Sequence, residues 1–358
     1  MESRRWLVEA VTSGRLSLAE ACRQAEVTRK TGRKWIKRAE ATGIDKLAEL
    51  SRAPKNVHRK TETPKEEALL ELRAKFPEWG ARKLVVLLER DQHIKLPART
   101  ADHILERHGL TKARPNTQEL VRFERDTCGA LLQMDFKGLP QSAPYHLLSV
   151  LDDHARFCFA FEPVADKTAM SIKAVLWELF GEHGMPESML MDNGDCWGSV
   201  NSRFPTSFCV WLMLLGIKPI HGRPYHPQTQ GKVERFHGTA KVEIGPNIVQ
   251  PSIDLIKPIC KDFVNRYNWV RPHDSLGGAT PGSLYQPFPN KRPAALPVHA
   301  IPEGSTSRKV DKAGLIYYKG ATLKVGTGLI GQRLMIKEDL LGDRLFFCNF
   351  PLPYLSEL

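Results

Sequence analysis

LLQMDFKG (131–138) and, after a short gap, HLLSVLDDHARFCFAFEPV (146–164) mark the point where the chain changes character. Both stretches are apolar, suited to a pleated surface, and bounded by glycine, proline and aspartate, which is the pattern of β-strands. Within the second, Asp152 to Arg156 reads as a hairpin turn. Asp135 interrupts the first strand with a carboxylate, which is costly among apolar neighbours unless it is paired or holds a metal.

The pattern continues downstream. Lys167 to His183 is amphipathic and helical, with Met170, Ala174, Leu176, Trp177 and Phe180 available for packing. SMLMDNGD (188–195) is a short apolar strand ending in a turn. A helix near Ser207 to Leu215, a strand at Ile217 to Ile220 and a helix from about Gly231 complete an α/β unit. Three strands, helix, strand, helix, strand, helix is the order of a ribonuclease-H-like domain. That likeness concerns fold, so function must come from the site.

Upstream of Leu131 the chain is helical and basic. In RLSLAEACRQAEVTRKTGRKWIKRAEATG (15–43), Ser17 and Glu20 form a capping-box signature for a helix starting at Leu18. Thr28 caps a second helix carrying Arg29, Lys30, Arg33, Lys34, Lys37 and Arg38 around Trp35 and Ile36. A short pair with a basic second member suits a helix-turn-helix, whose second helix enters the major groove. SRAPKNVHRKTETP (51–64) reads as a linker. Lys65 to Ala74, Gly80 to Arg90 and Arg99 to His108 then give three further helices, the last closed by Gly109 and carrying Arg99 as a DNA-contact candidate.

The other end is β-rich. After a helix over Leu255 to Trp269 and a Pro/Gly-rich stretch, GLIYYKG, ATLKVG, QRLMIKE and DRLFFCNF alternate with glycines, as in a small β-barrel. On these signals the chain is multidomain. It divides into a helix-turn-helix domain (1–50), a linker (51–64), a second helix-turn-helix domain (65–111), a basic linker (112–129), an α/β ribonuclease-H-like core with a C-terminal helix (130–285), a linker (286–302) and a small β-barrel (303–358).

Composition agrees with a nucleic-acid partner. Of 358 residues, 52 are Lys or Arg and 40 Asp or Glu, giving a net charge of +12. Nine of those twelve surplus charges lie in residues 1–126, so that end is expected to choose the DNA. No apolar run reaches the roughly 18–20 residues of a membrane span, and no signal-peptide core opens the chain. The seven cysteines form no C-x-x-C pair. A cytoplasmic protein without a membrane partner is expected.

Two more carboxylates stand in settings like that of Asp135. Asp192 ends the strand SMLM at a sheet edge, and Glu234 sits in the first turn of a helix after GRPYHPQTQGK (222–232). Asp152, Asp153 and Asp195 read as turn residues, Asp195 being the nearest rival to Asp192. Magnesium takes hard oxygen ligands and keeps some water, so one or two carboxylates per ion suffice. Three carboxylates from different elements can hold two ions on either side of one phosphate.

HGRPYHPQTQGKVERFH (221–237), preceded by MLMDNGDCWGS (189–199) and LLQMDFKG, closely resembles the DDE (integrase-core) transposases of bacterial insertion sequences. The likeness is greatest to the branch whose single-gene transposase carries N-terminal helix-turn-helix modules, and it extends through YNWVRPHDSLGGATP (267–281). His226, Pro227, Gln228, Gly231, Glu234 and Arg235 are all in place. The residues CWGSVNSRFP (196–205) lengthen the span before Glu234 and look like an insertion of this branch.

The resemblance implies Asp135, Asp192 and Glu234 as the catalytic, metal-binding triad, two Mg²⁺ ions with Mn²⁺ as a substitute, and double-stranded DNA as partner, both terminal inverted repeats and target. It implies a homodimer or higher assembly on DNA in a bacterial nucleoid. Lys241, two turns after Glu234, falls where such transposases often contact DNA, and Lys232 and Arg235 are further candidates near the site. The alternatives are a non-catalytic DNA-binding relic or repressor, and a simple ribonuclease-H-like nuclease.

Overall fold

The computed structural model describes residues 2–48, 61–111, 124–194, 196–198, 202–222 and 230–357. Most of the expected linkers at 51–64 and 112–129, together with Asp195 and His226 to Gln228, lie outside the described residues. The chain forms two units, Met1–Glu62 and Thr63–Leu358, each considered by itself.

In the first unit, α1 (Glu2–Thr12), α2 (Leu18–Gln24) and α3 (Arg29–Thr42) enclose Leu7, Ala21 and Cys22, with Trp35 and Ile36 packed against them. The Ser17 and Thr28 hydroxyls each accept a backbone N–H of the helix they open, from Glu20 and Thr31. Gly32 lets α3 press onto α2: a Cβ there would stand 2.4 Å from Cys22 Sγ. Arg29, Lys30, Arg33, Lys34 and Lys37 are left exposed on α3.

The second unit opens with α4 (Thr63–Lys75), α5 (Ala81–Gln92) and α6 (Ala98–Arg107), joined around Leu69, Trp79, Leu84, Leu87, Leu88, Ile104 and Leu105. The sheet that follows is built from β1 (Leu132–Lys137), β2 (His146–Asp152), β3 (Cys158–Val164), β4 (Ser188–Met191) and β5 (Lys218–His221). Its order is β3-β2-β1-β4-β5; β2 runs antiparallel to both β1 and β3, while β4 and β5 run parallel to β1. The sheet is therefore an antiparallel meander extended by two parallel crossover strands, the ribonuclease-H-like arrangement.

Strand alternation divides the core in two. Leu132, Met134, Leu148 and Val150 face α7 (Ala169–His183) and α8 (Ser207–Leu214). Leu147, Leu151 and Phe161 face α9 (Gly231–Glu243) and α10 (Ile253–Asn265). The expected helix to Trp269 is α-helical only to Asn265, after which one π-turn runs over Arg266–Val270; α11 (Pro281–Leu284) follows.

The tail holds β6 (Ser307–Lys309), β7 (Leu315–Tyr318), β8 (Ala321–Lys324), β9 (Arg333–Asp339), β10 (Gly342–Phe347) and β11 (Phe350–Tyr354). Instead of the expected small β-barrel, the described pairings give an open sheet, β11-β10-β9-β6, and a separate β7–β8 hairpin. The apolar side chains that a barrel would turn inward are partly spent on α8, because Val210 and Met213 belong to the same cluster as Leu334, Leu345 and Phe347. Gly328 allows this seat: a Cβ there would lie 2.2 Å from the Pro205 carbonyl oxygen.

Candidate active site

In β1, residues 133, 135 and 137 point toward α9 while 132, 134 and 136 point toward α7 and α8. The parallel register pairs Leu132 with Met189 and Gln133 with Leu190. The same step carried to the strand ends sets Asp135 beside Asp192, the residue after β4. Both acids thus stand where the carboxyl ends of adjacent parallel strands open outward, the usual crevice of an α/β sheet. They line a cavity of about 710 Å³ with Phe136, Lys167, Thr168, Trp197 and Thr206.

Each carboxylate is tethered. Asp135 Oδ1 accepts the Phe136 N–H at 2.7 Å, and Asp192 Oδ1 accepts the Trp197 indole N–H at 2.6 Å. The two tethers are linked, since the Phe136 and Trp197 rings stack at 5.4 Å and 10°. Lys167 Nζ lies 5.2 Å from the Phe136 ring centroid. Burial pushes the Asp135 carboxyl up to about 6; the charge on Asp192 and, more weakly, that on Glu234 act in the same direction, against the Phe136 N–H.

Glu234 enters from α9. Its side chain is exposed in the helix's first turn and is felt electrostatically by Asp135, but it does not line the cavity. Three residues on, His237 lies beneath Asp135, with Nδ1 3.7 Å from Asp135 Oδ2 and Nε2 2.7 Å from Ser149 Oγ. Burial, aided by Lys137, lowers its pKa to about 4, so the ring is neutral near pH 7. Lys137 in turn senses Lys241 on α9 as well as Asp135. Asp135 is therefore within electrostatic reach of the Lys137 and Lys167 ammonium groups.

The other candidates are distributed as follows. Arg235 and Lys241 are exposed on α9, and Arg99 is exposed on α6. Lys232 is turned partly inward: its ammonium is 2.5 Å from Asp153 Oδ1 and 2.9 Å from the Asp153 carbonyl oxygen, which occupy two of its three N–H donors. Asp153 and Asp152 do lie at the hairpin turn, yet both are fully buried. Asp153 binds the Arg125 N–H, Gln133 and Lys232, and Asp152 accepts the N–H groups of Gly129, His154 and Ala155. Cys209 Sγ and His221 Nε2 are 3.5 Å apart, but burial raises the thiol's pKa and lowers that of the ring. A neutral pair of this kind is not an activated nucleophile.

Sequence reading missed Phe136, Lys137, Lys167, Trp197 and His237. Two of them had a local signal: Lys137 is two residues from Asp135 on a strand, and His237 is three from Glu234 on a helix. Trp197 lies in the segment 196–205, which the sequence marks only as an insertion.

Hard oxygen donors on neighbouring strands, one with its charge disfavoured by the other, are the chemistry a divalent cation relieves. Asp135 and Asp192 fit such an ion. Among the described residues, no three His, Cys, Asp or Glu side chains are gathered as one metal-holding group.

Comparison with known proteins agrees with this architecture. Two models described as integrase core domain match residues 127–227 and 215–281; a helix-turn-helix domain matches 4–55 and a homeodomain-like domain 31–105. The Pro-Pol polyprotein of Simian foamy virus type 1 is 31% identical over 110 residues, 30% of this chain and 9% of that protein. An uncharacterized protein of Caenorhabditis elegans is 30% identical over 159 residues, 43% of this chain and 11% of that protein. The matches thus span about a tenth of these relatives' length. Among solved structures, the HTLV-2 integrase catalytic core domain in complex with magnesium is 16% identical over 45% of this chain and 99% of that one, with a TM-score of 0.36. A simian T-cell lymphotropic virus intasome is 17% identical over 80% of this chain and 99% of that one, with a TM-score of 0.38. These scores are low, and the fold rests on strand order and the domain matches. The chain carries helix-turn-helix segments followed by a ribonuclease-H-like integrase core. No described helix is long and apolar enough to cross a membrane.

Proposed function

We propose that the chain is a DDE transposase of the insertion-sequence kind, which binds the terminal inverted repeats of its own element and catalyses DNA strand cleavage and strand transfer. The observation that supports this most is the placing of Asp135 and Asp192 side by side at the open ends of β1 and β4, with Glu234 within electrostatic reach. Asp135, Asp192 and Glu234 would hold magnesium, with manganese able to replace it. When bound, such an ion supplies Lewis-acid stabilisation of charge on the phosphate and of the attacking and leaving oxygens.

The chain's own groups do the positioning. Trp197 fixes one oxygen of Asp192, and Asp192 lines the cavity. The stacked Phe136 and Trp197 rings wall that side against water. Lys137, Lys167, Arg235 and Lys241 offer positive charge to the strand around the scissile phosphate. The reaction class is in-line displacement at phosphorus with no covalent enzyme intermediate. Water forms the new P–O bond as the strand's P–O bond breaks, giving a 3′-hydroxyl and a 5′-phosphate. That hydroxyl then attacks a target phosphate and displaces the target's own 3′-hydroxyl. Both element ends have to meet, so a dimer or higher assembly on DNA goes with this reading.

Asp135→Ala should abolish cleavage and transfer in Mg²⁺ while leaving binding to the DNA flanking its gene intact. If the wild-type chain binds that DNA but cleaves it in neither Mg²⁺ nor Mn²⁺, the alternative holds, a non-catalytic DNA-binding relic or repressor.

A further inference from the structure

The motif YNWVRPHDSLGGATP (267–281) has no part in the chemistry just described, yet it meets the helices that precede the core. Val270 packs into the α4–α6 cluster. Trp79, between α4 and α5, is 2% exposed and donates its indole N–H to Glu243 Oε1 at 2.9 Å. Arg271 ion-pairs with the same oxygen, and its guanidinium lies 5.4 Å from the Trp79 ring centroid. The contact continues along α5: Lys83 pairs with Asp274 at 3.1 Å, Arg90 reaches the Val270 carbonyl at 3.4 Å, and a Cβ on Gly278 would touch Val86 at 3.4 Å.

Glu243 is the last residue of α9, and Glu234 stands in the first turn of the same helix. Nine residues of α-helix span about 13 Å as a stiff rod. An acidic side chain at a helix C-terminus opposes the helix dipole, so helix stability does not account for Glu243. Its side chain is 8% exposed, and that of Arg271 15%. A buried ion pair of this sort adds little net stability but tolerates few alternative geometries, because separating the partners strands a charge. An apolar contact would hold α4–α6 as firmly with less restriction on angle.

We propose that Trp79, Glu243 and Arg271 form a positioning clamp that makes the α4–α6 module and α9 one body, so that duplex DNA engaged by that module sets where Glu234 stands relative to Asp135 and Asp192. The clamp rests on the transposase reading for its consequence, but its mechanical part is separate. Glu243 and Arg271 touch no substrate; they act through Glu234.

The test uses the full chain, a duplex carrying the sequence that flanks its gene, and Glu243→Gln, which keeps an acceptor for the indole but removes the charge. Amide hydrogen exchange over residues 231–243 is measured with and without the duplex, beside duplex affinity and transfer rate. In the wild-type chain the duplex should slow exchange in α9. In Glu243→Gln, duplex affinity should stay within about twofold while that protection disappears and transfer falls about tenfold or more. Loss of a packed contact alone would not remove a DNA-dependent response while sparing affinity. Trp79→Phe, which keeps a smaller aromatic ring and has no N–H to donate, gives the same comparison if Glu243→Gln fails to fold. The proposal is overturned if α9 exchange in the wild-type chain ignores the duplex, or if the variants keep the response. Absence of transfer by the wild-type chain would instead remove the transposase reading, with the exchange result still deciding the clamp.

Discussion

At Asp135 two costs add: a carboxylate is withdrawn from water, and a second one stands on the next strand. Without metal, its carboxyl is raised to about 6 from an unfolded value near 4. A raised acid contributes stability that is complete below the unfolded value and is lost as pH rises through about 6. With its side chain 22% exposed, the full penalty at neutral pH comes to about 2 kcal/mol. Asp135→Asn, which can still accept the Phe136 N–H, should therefore melt at a higher temperature than wild type in chelator at pH 7. The gap should close toward pH 4; a variant less stable than wild type at pH 7 would refute the electrostatic account. Asp135 was legible in sequence because a lone acid in an apolar strand needs a reason. The partner of Lys232 was not legible, because nothing local reveals that Asp153, seventy-nine residues away, is buried and pairs with its ammonium.

On the scale of elements, α9 carries three of the proposed functional residues on one rod: Glu234 at its start, Lys241 in its last turn and Glu243 at its end. Helix period alone places Glu234 and Lys241 on one face, and the strand period then brings Lys137 up to meet Lys241. Lys241→Ala should lower duplex affinity and flatten its salt dependence by about one unit of slope, as for the loss of one phosphate contact. Unchanged slope in a salt titration would take Lys241 out of the DNA path. Caps and periodicity made α2, α3, α5 and α6 readable, since Ser17, Thr28 and Gly109 act within a few residues of their helices. The tail was read only in part. Its strands carried local signals, but that their apolar side chains pack with Val210 and Met213 of α8 is something no strand pattern discloses. The Trp197–Asp192 bond was equally hidden, because it depends on how the loop after β4 folds back.

For the whole molecule, the boundary at Glu62 matters more than the sequence suggested. The α4–α6 module shares buried side chains with the core, through Trp79, Val270, Glu243 and Arg271, whereas residues 1–62 form their own unit. Removal of residues 1–62 should leave a folded chain with a cooperative melt and weakened duplex binding. Removal of residues 1–111 should destabilise the core, because it exposes Val270 and leaves Arg271 and Glu243 without Trp79. Equal melting of the two truncations would contradict the clamp. Surplus positive charge is concentrated before residue 126 and the acid pair lies after it, so on the proposed reading the choice of DNA and its cutting fall to different parts of the chain. The most direct measurement of the central claim is strand transfer by the purified chain on the DNA that flanks its gene, titrated with Mg²⁺, for wild type and Asp135→Ala. The account predicts metal-dependent joined products from wild type and none from the variant, with equal DNA binding by both. Transfer by Asp135→Ala at a rate near wild type would contradict it.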